Sequence, residues 1–155
     1  TGRKPVIVSP EIRTGLTMGV TEPNAVGKDR LVDAAYAAAH FPLPVITVDL
    51  GTATTFSVVD KQKVFRGGVI CPGLSTGLRA AVLLDGVTQR IEEELGTSAT
   101  LVVTGGLARY VTPLCRHPLV YDPELLMKGL AMLYQMNQPS QRPRRGSSGK
   151  RRKTE

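Results

Sequence analysis

Residues 48–55 place one carboxylate and three hydroxyl groups around a single turn, a combination that could hold a phosphate group beside a cation. The segment reads Val-Asp-Leu-Gly-Thr-Ala-Thr-Thr, and apolar residues flank it on both sides. This arrangement predicts a β-hairpin with Asp49 at the end of its first strand. The turn can offer N–H and hydroxyl donors to phosphate oxygens while the aspartate holds a cation. Because Gly-Thr turns also occur in hairpins that bind nothing, this segment alone leaves both interpretations open.

A Gly-Gly turn provides a second candidate for phosphate contact. Gly105 and Gly106 follow a short, β-branched strand segment, Leu-Val-Val-Thr at residues 101–104, and precede a predicted helix. Glycines let the backbone approach a ligand closely, and the N-terminus of a helix favours negative charge. Such turns also serve packing alone. Combined with the hairpin, however, the Gly-Gly turn favours a fold that uses a nucleoside triphosphate.

The third candidate is the segment Gly-Lys-Asp-Arg at residues 27–30. An alanine-rich stretch with strong helix propensity follows it, so a helix is predicted over residues 29–40. The positive end of that helix favours an ionised Asp29, which suits a carboxylate that accepts a proton. Arg30 can bind a carboxylate or a phosphate through paired N–H groups. The simpler interpretation is a helix-start acid beside a solvated arginine.

A loop at residues 67–73, Gly-Gly-Val-Ile-Cys-Pro-Gly, completes an ordered set of motifs. The order Gly-x-Asp-Arg, Asp-x-Gly-Thr-Ala-Thr-Thr, Gly-Gly-x-Ile-x-Pro-Gly and Thr-Gly-Gly resembles that of the type III pantothenate kinases, in the acetate and sugar kinase/heat-shock/actin superfamily. The resemblance covers residues 5–136. It implies an α/β fold, namely a ribonuclease-H-like (actin-like ATPase) C-terminal lobe with a mixed sheet and flanking helices.

The resemblance also implies an activity, the ATP-dependent phosphorylation of pantothenate to 4'-phosphopantothenate, which is the first step of coenzyme A biosynthesis. It assigns Asp29 as the base that accepts the proton of the pantothenate hydroxyl. It places three further residues in the pantothenate site, namely Gly27, Lys28 and Arg30. The expected protein is a cytoplasmic homodimer.

For the nucleotide, the resemblance implies that Thr52, Gly105 and Gly106 contact ATP with its magnesium. Asp49 is expected to hold a monovalent cation, potassium or ammonium. A carboxylate, a cation and phosphate-binding groups suit in-line phosphoryl transfer, because positioning and charge stabilisation dominate its catalysis.

Two elements of that family have no counterpart in this sequence. The family carries an N-terminal lobe with its own Asp-x-Gly-Asn-Thr phosphate loop. It also carries a long substrate-contacting segment where this chain passes directly from Ala81 to Val82. A smaller departure is Ser57, at a position where an aspartate is common. The sequence therefore leaves two function classes open: a pantothenate kinase, or a non-catalytic remnant that keeps the fold as a binding or dimerisation module.

Composition predicts one soluble domain followed by a basic tail. The 155 residues are 41% hydrophobic, which suffices for one modest core. We expect a kinase C-terminal lobe over residues 1–137 and a disordered tail over residues 138–155, where seven basic residues stand against one acid. The tail lacks interleaved aromatic residues, so nucleic acid is not an expected partner. No apolar run approaches the roughly 20 residues of a membrane span.

The hydrophobic pattern and the chain breakers predict the order of the elements. They are a strand at residues 5–8, a helix at 29–40, two strands within 45–59 and one at 63–66, a Gly/Pro loop, helices across 76–95, a strand at 100–103, a helix after 106 and a helix at 123–136. The last helix has a wide apolar face, so we expect it to pack against the core.

Overall fold

The computed structural model describes residues 5–73 and 77–138. The strands within these ranges are β1 (Thr17–Met18), β2 (Val45–Leu50), β3 (Ala53–Val59), β4 (Val64–Gly67), β5 (Ile70–Pro72), β6 (Thr100–Thr104) and β7 (Val120–Tyr121). The helices are α1 (Lys28–His40), α2 (Gly77–Leu95), α3 (Ala108–Val111) and α4 (Leu125–Met136), with 3-10 turns at Pro23–Ala25 and Thr112–Leu114. All seven strands join one mixed sheet in the order β1-β4-β3-β2-β6-β7, with β5 paired to β3. Strand β6 runs parallel to β2 and β7, whereas β3 runs antiparallel to its neighbours.

The sheet lies between two helical layers, and the side chains of β2 alternate between them. Ile46, Val48 and Leu50 pack on one face with α2 and α3, in a core that also contains Leu84. Val45 packs on the opposite face with α1 and α4. A strand that is covered on both faces has to be apolar at nearly every position, and β2 is apolar except at Thr47 and Asp49.

The alanine content of α1 allows this helix to lie close to the sheet. Ala34, Ala37 and Ala38 are almost fully buried. Alanine has the highest helix propensity and a small side chain, so it stabilises α1 and also allows the helix to pack closely on the sheet. The helix begins at Lys28 and ends at His40, within one residue of the predicted bounds.

Most of the predicted elements are confirmed. The hairpin of β2 and β3, the following strand β4 and the strand β6 occupy the predicted segments. Helix α4 begins at Leu125, two residues after Pro123, where we predicted its start. Helix α2 is one continuous helix that passes through Gly86, and residue 76, which we assigned to it, lies outside the described residues.

The structure corrects three predictions. Residues 5–8 are unpaired and form no strand, and Val8 packs against Leu133 of α4 instead. The apolar pattern predicted burial but could not tell whether a strand or a helix provides it. The predicted Gly/Pro loop contains β5, which pairs with β3. The helix predicted after Gly106 is the single turn α3, which a 3-10 turn with Pro113 follows.

Of the predicted basic tail, only Gln138 belongs to the described part of the chain. Residues 139–155, to which the prediction of disorder applies, lie outside it. None of the helices in the described ranges is both long and apolar enough to cross a membrane.

Candidate active site

A cleft opens where the C-terminal ends of β2 and β6 lie side by side. The two strands are parallel, and their register pairs Asp49 with Thr104. The cleft has a volume of about 470 Å³, and its lining includes Asp33, Asp49, Thr104, Gly105 and Gly106. Open α/β sheets bind their ligands at this kind of edge, outside the carboxyl ends of the strands. The structure thus brings together the carboxylate of the first motif and the Gly-Gly turn of the second.

Gly105 has to be glycine for its turn to lie this close to β2. Its φ is +99°, and a Cβ there would lie 2.6 Å from the Leu50 nitrogen and overlap an oxygen of the Asp49 carboxylate. The Leu107 N–H donates to the Leu50 carbonyl at 3.1 Å and holds the turn against the strand. A Cβ on Gly106, by contrast, would meet nothing within 4 Å. The backbone at Gly106 is therefore open to a ligand.

Sequence reasoning missed Asp33, which follows Asp29 by one helical turn on α1 and lines the cleft with Asp49. Only 4% of Asp33 is exposed, and its Oδ1 atom has no hydrogen-bond partner among the described residues. Burial, followed by the charge of Asp49, raises the pKa of Asp33 to about 7. The charges of Asp29 and Asp122 act on this pKa in the same direction. One acid within the otherwise apolar segment 31–38 was the available signal.

The acids around Asp33 differ in how their charges are compensated. The carboxylate of Asp122 is buried, but Lys128 Nζ lies 2.8 and 2.9 Å from its two oxygens. Asp49 is half-buried, and burial raises its pKa, with a further rise from the charge of Asp29. In the described part of the chain, no Lys, Arg or His forms an ion pair with Asp33 or Asp49. Among the described residues, no basic side chain therefore offsets a negative charge on these two carboxyl groups.

The guanidinium of Arg30 is held against β3. Its Nε atom donates to Ser57 Oγ at 3.0 Å, and its Nη2 atom donates to the Phe56 carbonyl at 2.8 Å. A Cβ on Gly68 would lie 2.8 Å from that Nη2 and overlap the Phe56 carbonyl, so the glycine makes room for the contact. Burial lowers the pKa of Arg30, and the charge of Asp29 opposes this change. A guanidinium has five N–H donors, so donors remain for a ligand.

The other predicted site residues lie outside the lining of the cleft. Gly27 and Lys28 are exposed where α1 begins, and Asp29 is exposed at the second position of that helix. Thr52 is exposed at the tip of the hairpin, where its carbonyl packs against Gly73. The structure therefore divides the candidates among the cleft, the start of α1 and the hairpin tip. The charge of Asp29, at the start of α1, raises the pKa of Asp49 in the cleft and also acts on the pKa of Arg30. The start of α1 and the cleft therefore influence each other electrostatically.

The cleft fits a cation better than an anion. Asp33 and Asp49 offer carboxylate oxygens, which are the ligands that hard cations prefer. Within residues 5–73 and 77–138, no group of three or more His, Cys, Asp or Glu side chains is arranged around one metal ion. A metal held here must therefore take its remaining ligands from water, from the backbone or from a bound substrate.

Residues 1–103 match the family model described as type III pantothenate kinase. The chain is 34% identical to the type III pantothenate kinase of Listeria innocua over 173 aligned positions, which take in 88% of this chain and 67% of that relative. It is 35% identical to the corresponding protein of Brevibacillus brevis, with 88% and 68% covered. A crystal structure described as a Baf family transcriptional activator from Campylobacter jejuni matches 80% of this chain and 70% of that chain, with a TM-score of 0.53. At 18% identity, this last likeness shows a shared fold alone.

The 173 aligned positions exceed the 155 residues of the chain, so the Listeria relative carries residues inside the matched region that this chain lacks. This agrees with the direct passage from Ala81 to Val82, which α2 crosses without interruption. The relatives also extend beyond the match, because the chain covers about two thirds of their length. The family model and the curated relatives agree, and the chain belongs to the type III pantothenate kinase family.

Proposed function

We propose that this chain forms the C-terminal lobe of a pantothenate kinase site, which transfers a phosphoryl group from ATP to the hydroxyl of pantothenate in the first step of coenzyme A biosynthesis. The strongest support is the cleft: in a chain of this family, Asp49, Gly105 and Gly106 lie together at the carboxyl end of a mixed sheet. The lobe has a ribonuclease-H-like, actin-like fold over residues 1–137, and residues 138–155 are a basic tail.

On the pantothenate side, Asp29 is the base. Its carboxylate is exposed in the first turn of α1, where the helix dipole favours the ionised form. It accepts the proton of the pantothenate hydroxyl as that oxygen attacks the terminal phosphorus of ATP, and ADP leaves. Arg30, which is held against β3, binds the pantothenate carboxylate, and Gly27 and Lys28 line the same site.

On the nucleotide side, Gly105 and Gly106 offer their backbone to the phosphates and the adenosine of ATP, and Thr52 adds a hydroxyl. Magnesium on the nucleotide supplies charge neutralisation at the phosphate oxygens. Asp49, which forms no ion pair with any basic side chain in the described ranges, holds potassium or ammonium beside them. These roles amount to positioning and charge compensation, which are the main requirements of in-line phosphoryl transfer.

Formation of phosphopantothenate from pantothenate and ATP, measured for the purified protein, tests this function. Asp29→Asn keeps the shape of the side chain and removes the base, so turnover should fall by on the order of 10²–10⁴-fold. Glu93→Gln is the matched control, because Glu93 is exposed on α2 and this change also removes one charge. Near-normal turnover of Asp29→Asn would rule out Asp29 as the base.

A non-catalytic module of the same fold is the second candidate, and the internal segment that this chain lacks favours it. The Listeria relative has additional residues inside the matched region. The family resemblance implies that a segment missing after Ala81 contacts pantothenate. A wild-type protein that folds, as judged by circular dichroism, but forms no phosphopantothenate would support this second candidate.

We also propose that the protein is a cytoplasmic homodimer. Several large apolar side chains are exposed on α2 and on the segment after β6, namely Leu78, Val82, Tyr110 and Leu114. Clusters of this kind mark interaction surfaces more often than scattered single residues do. Light scattering coupled to size-exclusion chromatography measures the mass, and a monomer at micromolar concentration would contradict the homodimer.

A further inference from the structure

The guanidinium of Arg30 is held only by neutral groups in the described part of the chain. Its partners are Ser57 Oγ at 3.0 Å and the Phe56 carbonyl at 2.8 Å. Within residues 5–73 and 77–138, no acidic side chain forms an ion pair with it, although the charge of Asp29 acts on its pKa. A half-buried charge without such a partner is stabilised when an anion binds it.

The alternation of side chains along β3 brings Ser57 to this position. Val59 packs in the core cluster on the α1 side of the sheet, and Ser57, two residues earlier, projects from the same face. Ser57 is only 2% exposed, and Arg30 reaches it from the first turn of α1. The sequence departs from the family resemblance at this residue, where an aspartate is common. The hydroxyl accepts the Arg30 N–H without adding a negative charge.

The contacts with β3 use one edge of the Arg30 guanidinium and leave the other free. Nε and Nη2 lie on the same edge, and each donates one N–H to β3. Nη1 keeps both of its N–H groups, and Nη2 keeps its second one. One N–H from each of these two nitrogens points away from β3, in the paired geometry that a carboxylate accepts. A carboxylate can therefore bind end-on while Ser57 holds the opposite edge.

We propose that Ser57 is a positioning residue for substrate binding, which orients the Arg30 guanidinium toward an anionic group of the ligand and leaves its positive charge available to that group. A guanidinium that is fixed before the ligand arrives loses less side-chain entropy on binding. An aspartate at position 57 can accept the same N–H, but its charge would repel a bound carboxylate. The inference rests on the proposed function only in naming pantothenate as the ligand.

Proton–nitrogen NMR of the Arg30 Nε–H group, with sodium acetate as a carboxylate probe, tests the positioning without a kinase assay. Arg30→Lys removes this signal and so identifies it. In the wild type, the Nε–H proton should exchange slowly with water, because its acceptor is buried, and acetate should shift the signal. Ser57→Ala should exchange on the order of tenfold faster, since the hydrogen bond is lost. Ser57→Asp should retain slow exchange but bind acetate on the order of tenfold more weakly.

Steady-state kinetics with pantothenate test the link to the proposed function. Ser57→Ala and Ser57→Asp should each raise the KM for pantothenate by on the order of tenfold and change kcat less, because Ser57 affects binding and not the transferred group. Ser57→Thr retains the hydroxyl and should restore the wild-type KM. Ser98→Ala, which removes an exposed hydroxyl after α2, is the matched control and should leave KM unchanged.

Equal Nε–H exchange in the wild type and a folded Ser57→Ala protein would overturn the proposal. Acetate binding by Ser57→Asp as tight as that of the wild type, or an unchanged KM in an active Ser57→Ala protein, would do so as well. Ser57→Cys replaces the hydroxyl with a weak acceptor of similar size and provides a second variant if Ser57→Ala does not fold. If the acetate results hold but the wild type forms no phosphopantothenate, Ser57 keeps its positioning role and only the kinase function is lost.

Discussion

The free energy of unfolding of the wild-type protein should decrease as the pH rises, and replacing Asp33 with asparagine should abolish the part of this decrease that Asp33 causes. Burial and the neighbouring acids raise the pKa of Asp33 from 3.8 to about 7, so the folded chain binds this proton more tightly than the unfolded chain does. The tighter binding of this proton stabilises the folded chain fully at pH values below the pKa of Asp33 in the unfolded chain. This stabilisation disappears as the pH rises through the pKa of Asp33 in the folded chain. The full effect is about 4 kcal/mol, of which about 3 kcal/mol is lost between pH 5 and pH 8.

Urea unfolding at these two pH values, with a chelator present so that no metal compensates the charge, measures the effect. The free energy of unfolding of the wild type should fall by about 3 kcal/mol more than that of Asp33→Asn. Glu93→Gln should keep the wild-type dependence, because Glu93 is exposed. If Asp33→Asn and the wild type lose the same amount, the Asp33 carboxyl does not lie in a buried, negatively charged cleft, and the reasoning about the site is wrong.

Two further predictions concern the turn beside the cleft and Asp60, a buried acid that directly follows β3. Gly105→Ala should lower the free energy of unfolding by at least about 2 kcal/mol, because its φ is +99° and a Cβ would overlap a carboxylate oxygen. Gly106→Ala meets no atom within 4 Å and should cost less than about 1 kcal/mol, so equal losses in urea unfolding would contradict us. Although burial opposes ionisation, the Val64 N–H and the Arg66 guanidinium hold the pKa of Asp60 below its usual range. Asp60→Asn should therefore destabilise the protein at neutral pH but not in acid, and a loss that persists in acid would refute this.

Local patterns were sufficient for the longer elements of the fold. Alanine propensity and the signals of a helix start predicted α1 within one residue, and apolar runs around a Gly-Thr turn predicted the hairpin. The short strands β1, β5 and β7 have only two or three residues each and exist because a neighbouring strand supplies hydrogen bonds. Residues 5–8 have the apolar character of a strand, but helix α4, distant in sequence, provides their contacts.

The sequence by itself determined which chemical groups this protein has: a carboxylate at a strand end, a Gly-Gly turn and an acid at a helix start. The meeting of Asp49 with Gly105 depends on the parallel pairing of β2 with β6, which lie far apart along the chain. Asp33 looks like a surface acid of an alanine-rich helix until α1 packs on the sheet face that carries Asp49. Burial and the proximity of like charges arise only when distant segments pack together. The tertiary structure therefore decided the raised pKa of Asp33 and the preference of the cleft for a cation.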